Sequence, residues 1–115
     1  MLVSIIIPCY NSGQFIEECL QNIRTQSYEN WECLIVDDHS TDSTFEIALK
    51  YTESDNRFRA FKRPNSKIKG ANSCRNFGFE KSKGIYVKWF DSDDEALNWA
   101  SKGYKVGTPL DPNRA

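Results

Sequence analysis

Three carboxylates crowd into four positions, Asp91-Ser92-Asp93-Asp94, directly after the apolar and aromatic run Tyr86-Val87-Lys88-Trp89-Phe90. In an extended segment Asp91 and Asp93 point the same way, because side chains repeat every two residues. One can then meet a sugar hydroxyl or water while the other meets a metal ion. Acids this close repel one another and require countercharge. A divalent cation held by oxygen ligands, itself bridging anionic phosphates, would supply it. The competing reading of the same stretch is an acidic, solvated loop.

Two other polar segments follow apolar runs. Asp37-Asp38 closes the run Trp31 to Val36. One of these acids can turn inward to hydrogen-bond a ribose or base edge, while the other caps the next turn with Ser40 and Thr41. Turn and cap chemistry for all of Asp37 to Asp42 is the structural alternative. Tyr10 follows the first apolar run and offers an aromatic face to a flat base, or packs on its loop neighbours. His39, the single histidine, reads as an exposed turn residue rather than a base. Arg75, early in a helical stretch, could reach the acids across the site. Lys62, Arg63, Lys67 and Lys69 make a basic stretch that suits a small anionic ligand. It is too short to imply DNA or RNA, and a net charge of −1 gives no nucleic-acid surface.

These groups must be positioned by regular elements. Leu2 to Ile7 is a continuous apolar run, the mark of a strand covered on both faces, and Pro8 is expected to end it. Phe15, Ile16, Cys19, Leu20 and Ile23 recur at helical spacing. Trp31 to Val36 gives a second strand. Ser43-Thr44-Phe45-Glu46 has the form of a capping box, with Phe45, Ala48, Leu49 and Thr52 as the inner stripe of the helix it opens. Phe58 to Lys62 alternates like a half-exposed edge strand. A basic loop from Arg63 to Gly70 then leads into a third helix from about Ala71 to Ser82. The fourth strand is the run before the acids. This alternation predicts an α/β domain with a mostly parallel sheet. Right-handed crossovers favour the strand order 3-2-1-4, flanked by helices, with a crevice where the order reverses. Tyr10-Asn11, Asp37-Asp38 and Asp91-Asp93-Asp94 would meet there.

At 115 residues there is room for one domain and one core. No apolar run is long enough to span a bilayer, and Met1 to Ile7 lacks the features of a signal peptide. Cys9, Cys19, Cys33 and Cys74 show no metal-ligand spacing; Cys19 and Cys33 read as small core residues, and a reducing, cytoplasmic compartment is the default.

Taken together, Ser4-Ile-Ile-Ile-Pro-Cys-Tyr-Asn11, Val36-Asp-Asp-His-Ser-Thr-Asp42, Gly70-Ala-Asn-Ser-Cys-Arg-Asn-Phe-Gly78 and Asp91-Ser-Asp-Asp94 resemble the family 2 glycosyltransferases in order and spacing. The resemblance covers Leu2 to Asp94. It implies a Rossmann-like GT-A fold, a UDP-linked nucleotide-diphosphosugar donor, with Asp38 contacting uracil or its neighbourhood, and Mn²⁺ or Mg²⁺. It also implies inverting transfer to an acceptor hydroxyl on a glycan, a lipid-linked sugar or another molecule, at the cytoplasmic face of a membrane or in the cytoplasm. Carried over by position, Pro8, Tyr10 and Asn11 would border the base. Lys69 or Lys67 would approach the phosphates. Asp91 and Asp93 form the DxD pair, with Asp93 the leading metal ligand and Asp94 the alternate.

Family members continue into an acceptor-binding half that supplies the general base from an acidic motif. Nothing from Glu95 to Ala115 matches it. The expectation is therefore a donor-binding domain over residues 1–94, truncated after the DxD motif, then a partial helix and flexible tail over 95–115. The catalytic base is expected to be absent, and uncovered apolar surface would favour self-association. Two other readings compete: a non-catalytic nucleotide-binding or assembly module, and a receiver-like domain. The last fails where the first strand ends in Pro8-Cys9-Tyr10 instead of an acid.

Overall fold

The computed structural model describes residues 1–84, 86–89 and 108–109. Along the chain run β1 (Val3–Cys9), α1 (Ile16–Thr25), β2 (Trp31–Asp37), α2 (Thr44–Ser54), β3 (Phe58–Lys62), α3 (Ala71–Lys81), β4 (Tyr86–Trp89) and β5 (Thr108–Pro109). The sheet order is β3-β2-β1-β4-β5. The first four strands are parallel, in the predicted order 3-2-1-4. This is the doubly wound arrangement that the alternation of strands and helices dictates.

β1 and β2 are buried along their whole length, so each feeds two cores. Val3, Ile5, Ile7 and Cys9 point to one face with Cys33 and Ile35. There they meet Ile16, Cys19, Leu20 and Ile23 of α1, and Ala48 and Tyr51 of α2. Ile6 and Leu34 point to the other face with Val87, against Phe61 and Phe79. The period of two in the strands and of about 3.6 in α1 are thus both satisfied by one sandwich. Trp31, Phe58 and Tyr51 close the β3 side with edge-on ring contacts at 5.1 and 5.4 Å.

Several local expectations are corrected. Pro8 does not end β1; it stays in register opposite Val36. The Cys9 carbonyl accepts from the Asp38 N–H at the end of β2, so alternation turns Pro8 toward β4, whose pairing with β1 ends at Ile6 opposite Trp89 among the described residues. Its missing N–H therefore costs no described ladder bond. Phe15 precedes α1 and is 49% exposed. The capping box does not form either: Ser43 makes no side-chain cap bond. Asp42 takes that role, accepting from the Thr44 N–H at 3.0 Å and from the Thr44 hydroxyl. The inner stripe of α2 is Thr44, Ala48 and Tyr51, while Leu49 is exposed. Tyr51 sets this phase, since its hydroxyl donates to the Glu17 carbonyl at 3.3 Å or the Gln21 Oε1 at 3.1 Å on α1.

Within the segment expected to be a tail, Thr108–Pro109 pairs antiparallel with β4. A sheet edge tolerates proline there. The partial helix expected beyond Asp94 lies outside the described residues.

At the amino-terminal edge of the sheet the backbone passes close to itself. A Cβ on Gly84 would fall 2.6 Å from Ser4 Oγ and 2.8 Å from both Leu2 O and Ser4 N. Backbone cannot yield as a flexible side chain can. Gly84→Ala is expected to destabilise the fold by about 1–3 kcal/mol, read as a lower midpoint in urea denaturation; an unchanged midpoint would mean the approach is looser than described.

Candidate functional site

Register decides what meets at the carboxyl-terminal edge. Cys9 lies opposite Asp37, and Asp37 opposite Lys62. The next residues, Tyr10, Asp38 and Arg63, therefore emerge side by side. Two backbone bonds carry the ladder one step further: Asp38 N–H to Cys9 O and Arg63 N–H to Asp37 O, each 2.8 Å.

The two adjacent acids divide their work. Asp37 is fully buried and caps the turn after β2, accepting from the Ser40 N–H at 2.9 Å and from the Ser40 hydroxyl. Asp38 is 5% exposed. Its Oδ1 accepts from Arg63 Nε and its Oδ2 from the Gly70 N–H at 3.1 Å. Gly70 holds φ at 136°, a conformation that L side chains avoid, and this turns its amide onto the carboxylate at the start of α3.

Arg63 is the residue that sequence reasoning missed. In the sequence it belongs to a basic stretch that suits a small anionic ligand, yet it is only 9% exposed and pairs with a protein carboxylate. Its Nη1 donates to the carbonyls of Pro64 at 3.2 Å and Lys67 at 2.6 Å. The signal that could have found it is its position one step past an edge strand, level with Asp38.

The β1–α1 and β2–α2 loops are stitched together. The Asn11 N–H donates to Ser40 Oγ at 2.9 Å, and Asn11 Oδ1 accepts from the Thr41 N–H at 2.8 Å. The Ser12 N–H donates to Thr44 Oγ1 at 2.8 Å, and the Gly13 N–H to Asp42 Oδ2 at 3.1 Å. Asn11 and His39 both hold left-handed backbone, φ 48° and 60°. His39 is exposed, as expected, and its Nε2 donates to the Arg63 carbonyl at 2.8 Å.

Of the sequence-predicted donor residues, Tyr10 is 47% exposed at this edge, with the Lys69 ammonium 4.4 Å from its ring centre. Lys67 instead pairs with Glu80 at 3.2 Å, leaving Lys69 as the lysine at the edge beside Tyr10. Pro8 is buried inside β1 beneath this edge. Arg75, in α3, donates to Asn72 Oδ1 at 3.1 Å. Asp91, Asp93 and Asp94 lie outside the described residues. Among the described residues no group of three or more His, Cys, Asp or Glu side chains could hold a metal ion.

Cys9 and Cys74 flank the edge but are not nucleophiles. Burial first, then the charge of Asp37, pushes the Cys9 thiol far above its usual range. Burial, with the charge of Asp38 second, raises Cys74 to about 11. Both stay protonated near neutrality, and the thiolate is the reactive form. The site offers an aromatic face, a fixed carboxylate and a cation: the chemistry of binding a flat, charged ligand.

The family model described as Glycosyl transferase family 2 matches residues 4–101. The chain is 40% identical over 93 residues to the glycosyltransferase GlyG of Streptococcus pneumoniae, covering 81% of this chain and 30% of GlyG. It is 41% identical over 95 residues to TuaG of Bacillus subtilis, a putative teichuronic acid biosynthesis glycosyltransferase, covering 82% of this chain and 36% of TuaG. It therefore spans roughly a third of the length of these relatives. Among solved structures, TarS 1–349 of S. aureus in complex with UDP-GlcNAc matches with TM-score 0.78 and 31% identity, over 90% of this chain and 30% of that one. A mannosyltransferase of Pyrobaculum calidifontis in complex with GDP-Man and Mn²⁺ matches with TM-score 0.70 and 28% identity, over 79% and 27%.

Hydrogen bonds from Thr44 and then Gly13 hold the Asp42 carboxyl below its usual value. A lowered carboxylate contributes stability above its unfolded value and loses it as pH falls through the folded one. Asp42→Ala should therefore be less stable than the parent at neutral pH. The gap in urea midpoint should close as the pH is taken down through and below the ordinary carboxylate range; a pH-independent gap would show that the charge plays no part.

Proposed function

The chain belongs to glycosyl transferase family 2, and on that footing we propose that it is the donor-binding part of an inverting glycosyltransferase. The donor is a nucleotide-diphosphosugar, UDP-linked, and the acceptor is a hydroxyl of a glycan or lipid-linked sugar. The observation that carries the reading is the emergence of Tyr10 and Asp38 side by side past the ends of β1 and β2, with Lys69 held over the Tyr10 ring. The TarS complex with UDP-GlcNAc supports a uridine donor by likeness.

Each residue has a physical role in this reading. The exposed Tyr10 face stacks on the base, as flat rings favour. Asp38, already fixed on both oxygens, keeps a lone pair on each for a donor group of the base. Lys69 leaves the Tyr10 ring to meet the phosphates. Pro8 and Asn11 shape the floor and rim of the base site, and Arg75 approaches the diphosphate from α3. β4 runs parallel to β1 and is directed toward this same edge, and Asp91 follows Trp89 by two residues in the sequence. Asp93, with Asp91 or Asp94, supplies oxygen donors that suit Mn²⁺ or Mg²⁺. Such a cation, when bound, offsets charge building on the diphosphate leaving group.

In the transfer, the acceptor oxygen forms a bond to C1 as the bond from C1 to the diphosphate breaks on the opposite face. A general base takes the hydroxyl proton; none of the residues described here is assigned that role. The four cysteines are buried and form no disulfide, which suits a reducing, cytoplasmic setting, and no described helix is long and apolar enough to cross a membrane.

Calorimetric titration with UDP and UDP-sugars, with and without Mn²⁺, tests the reading. Binding that tightens with Mn²⁺ is expected, and absence of binding under both conditions would end the proposal. Asp93→Ala should remove the Mn²⁺-dependent gain. Lys69→Ala should weaken UDP about tenfold, equivalent to about 1.4 kcal/mol, and uridine much less. Product formation with a panel of acceptors separates an enzyme from a module that only binds.

A further inference from the structure

Burying an ion pair strips water from both charges, and their attraction repays this only with good geometry and satisfied partners. Arg63 and Asp38 are such a pair, 9% and 5% exposed, at the end of a sheet where two apolar residues would serve the core as well. The geometry points to another use. Resting on the donor-site reading above, we infer that Arg63 is a positioning residue for base recognition: it aims the Asp38 carboxylate and sets the loop that carries Lys69.

Arg63 is tied at five points. Its Nε donates to Asp38 Oδ1, and its Nη1 donates to the carbonyls of Pro64 and Lys67. Its own N–H donates to Asp37 O, and its carbonyl accepts from His39. The far end of the same loop returns to the same carboxylate, through the Gly70 N–H on Oδ2. Asp38 is thus clamped from both ends of the segment 63–70, and Lys69, next to Gly70, lies over Tyr10. A shift of the carboxylate moves both loop ends. Arg63 itself faces inward, with Nε and Nη1 engaged by protein oxygens, so it acts through Asp38 and not on the ligand.

A lysine keeps the charge but is a single point donor. It cannot span a carboxylate and two carbonyls as a planar fork does. The base offers a sharp readout. Uracil presents an N–H at N3, which a carboxylate accepts; cytosine presents a lone pair there, which a carboxylate repels. A correctly aimed Asp38 therefore prefers UDP to CDP, and a carboxylate that has swung away prefers neither.

The experiment is calorimetric titration of the parent chain, Arg63→Lys, Asp38→Ala and the double variant with UDP and with CDP. Arg63→Lys should cut the UDP preference over CDP about tenfold, within the cost of a misaligned charged hydrogen bond. Adding it to Asp38→Ala should change the preference no further. A UDP preference kept in Arg63→Lys, or lost again on top of Asp38→Ala, would overturn the inference while leaving the donor site intact. A parent chain that binds neither nucleotide would instead remove the donor reading and this inference with it. Should Arg63→Lys fail to fold, the parent chain decides by ¹⁵N NMR: saturating UDP should shift the Arg63 Nε–H and Gly70 N–H signals more than CDP does, and signals equally unmoved by both would overturn the inference.

Discussion

Parallel register is the constraint from which the rest follows. Because Cys9, Asp37 and Lys62 share one level across three strands, the next residue of each chain segment leaves the sheet at the same height. Tyr10, Asp38 and Arg63 are thereby brought together from sequence positions far apart. A slip of one residue in any strand would send its apolar set to the wrong face, so the two cores that fix the register also fix the site. The arrangement at this edge depends on packing several residues below it.

The two edges of the sheet show how differently buried polar groups can be used. At the amino-terminal edge Glu32 accepts from the Ser4 hydroxyl at 2.6 Å, from the Lys83 N–H at 2.5 Å and from Arg59 Nη1 at 3.2 Å. The Gly84 N–H donates to Ser4 Oγ at 2.8 Å. This cluster answers its own charges and ties the start of β4 to β1 and β2. At the carboxyl-terminal edge the buried acids are also satisfied, but beside them stand a half-exposed aromatic ring and an ammonium group. One edge is filled by its own partners; the other presents an aromatic ring and a cation at the surface. Strained backbone gathers at the second, at Asn11, His39 and Gly70, where such conformations most often serve a site.

Much of the fold was legible because hydrophobic period and turn residues carry it. The runs at Leu2 to Ile7 and Trp31 to Val36 read as covered strands, and right-handed crossovers then left little choice of order. What was not legible depended on tertiary partners. The phase of α2 is set by Tyr51 reaching α1, which no local pattern encodes. Its start belongs to Asp42, tied to the Gly13 amide across loops, so the local Ser43–Glu46 pattern misled. Pro8 stays in β1 because of which neighbour its N–H would have faced. Arg63 looked like any loop cation until its level with Asp38 was known. Asp38, Tyr10 and Lys69 stood out in the sequence by residue type, after strands and before a helix, and the structure gathers them at one edge.

The central claim is that a nucleotide and its cation sit at the carboxyl-terminal edge and nowhere else on the sheet. Paramagnetic broadening by Mn²⁺ with UDP tests it directly, because the effect falls off with distance from the ion. The account predicts that amide signals of Tyr10, Asp38, Lys69 and Gly70 broaden only when both are present, while those of Ser4, Glu32 and Lys83 stay sharp. Broadening at Ser4, Glu32 and Lys83, or at neither edge, would contradict it.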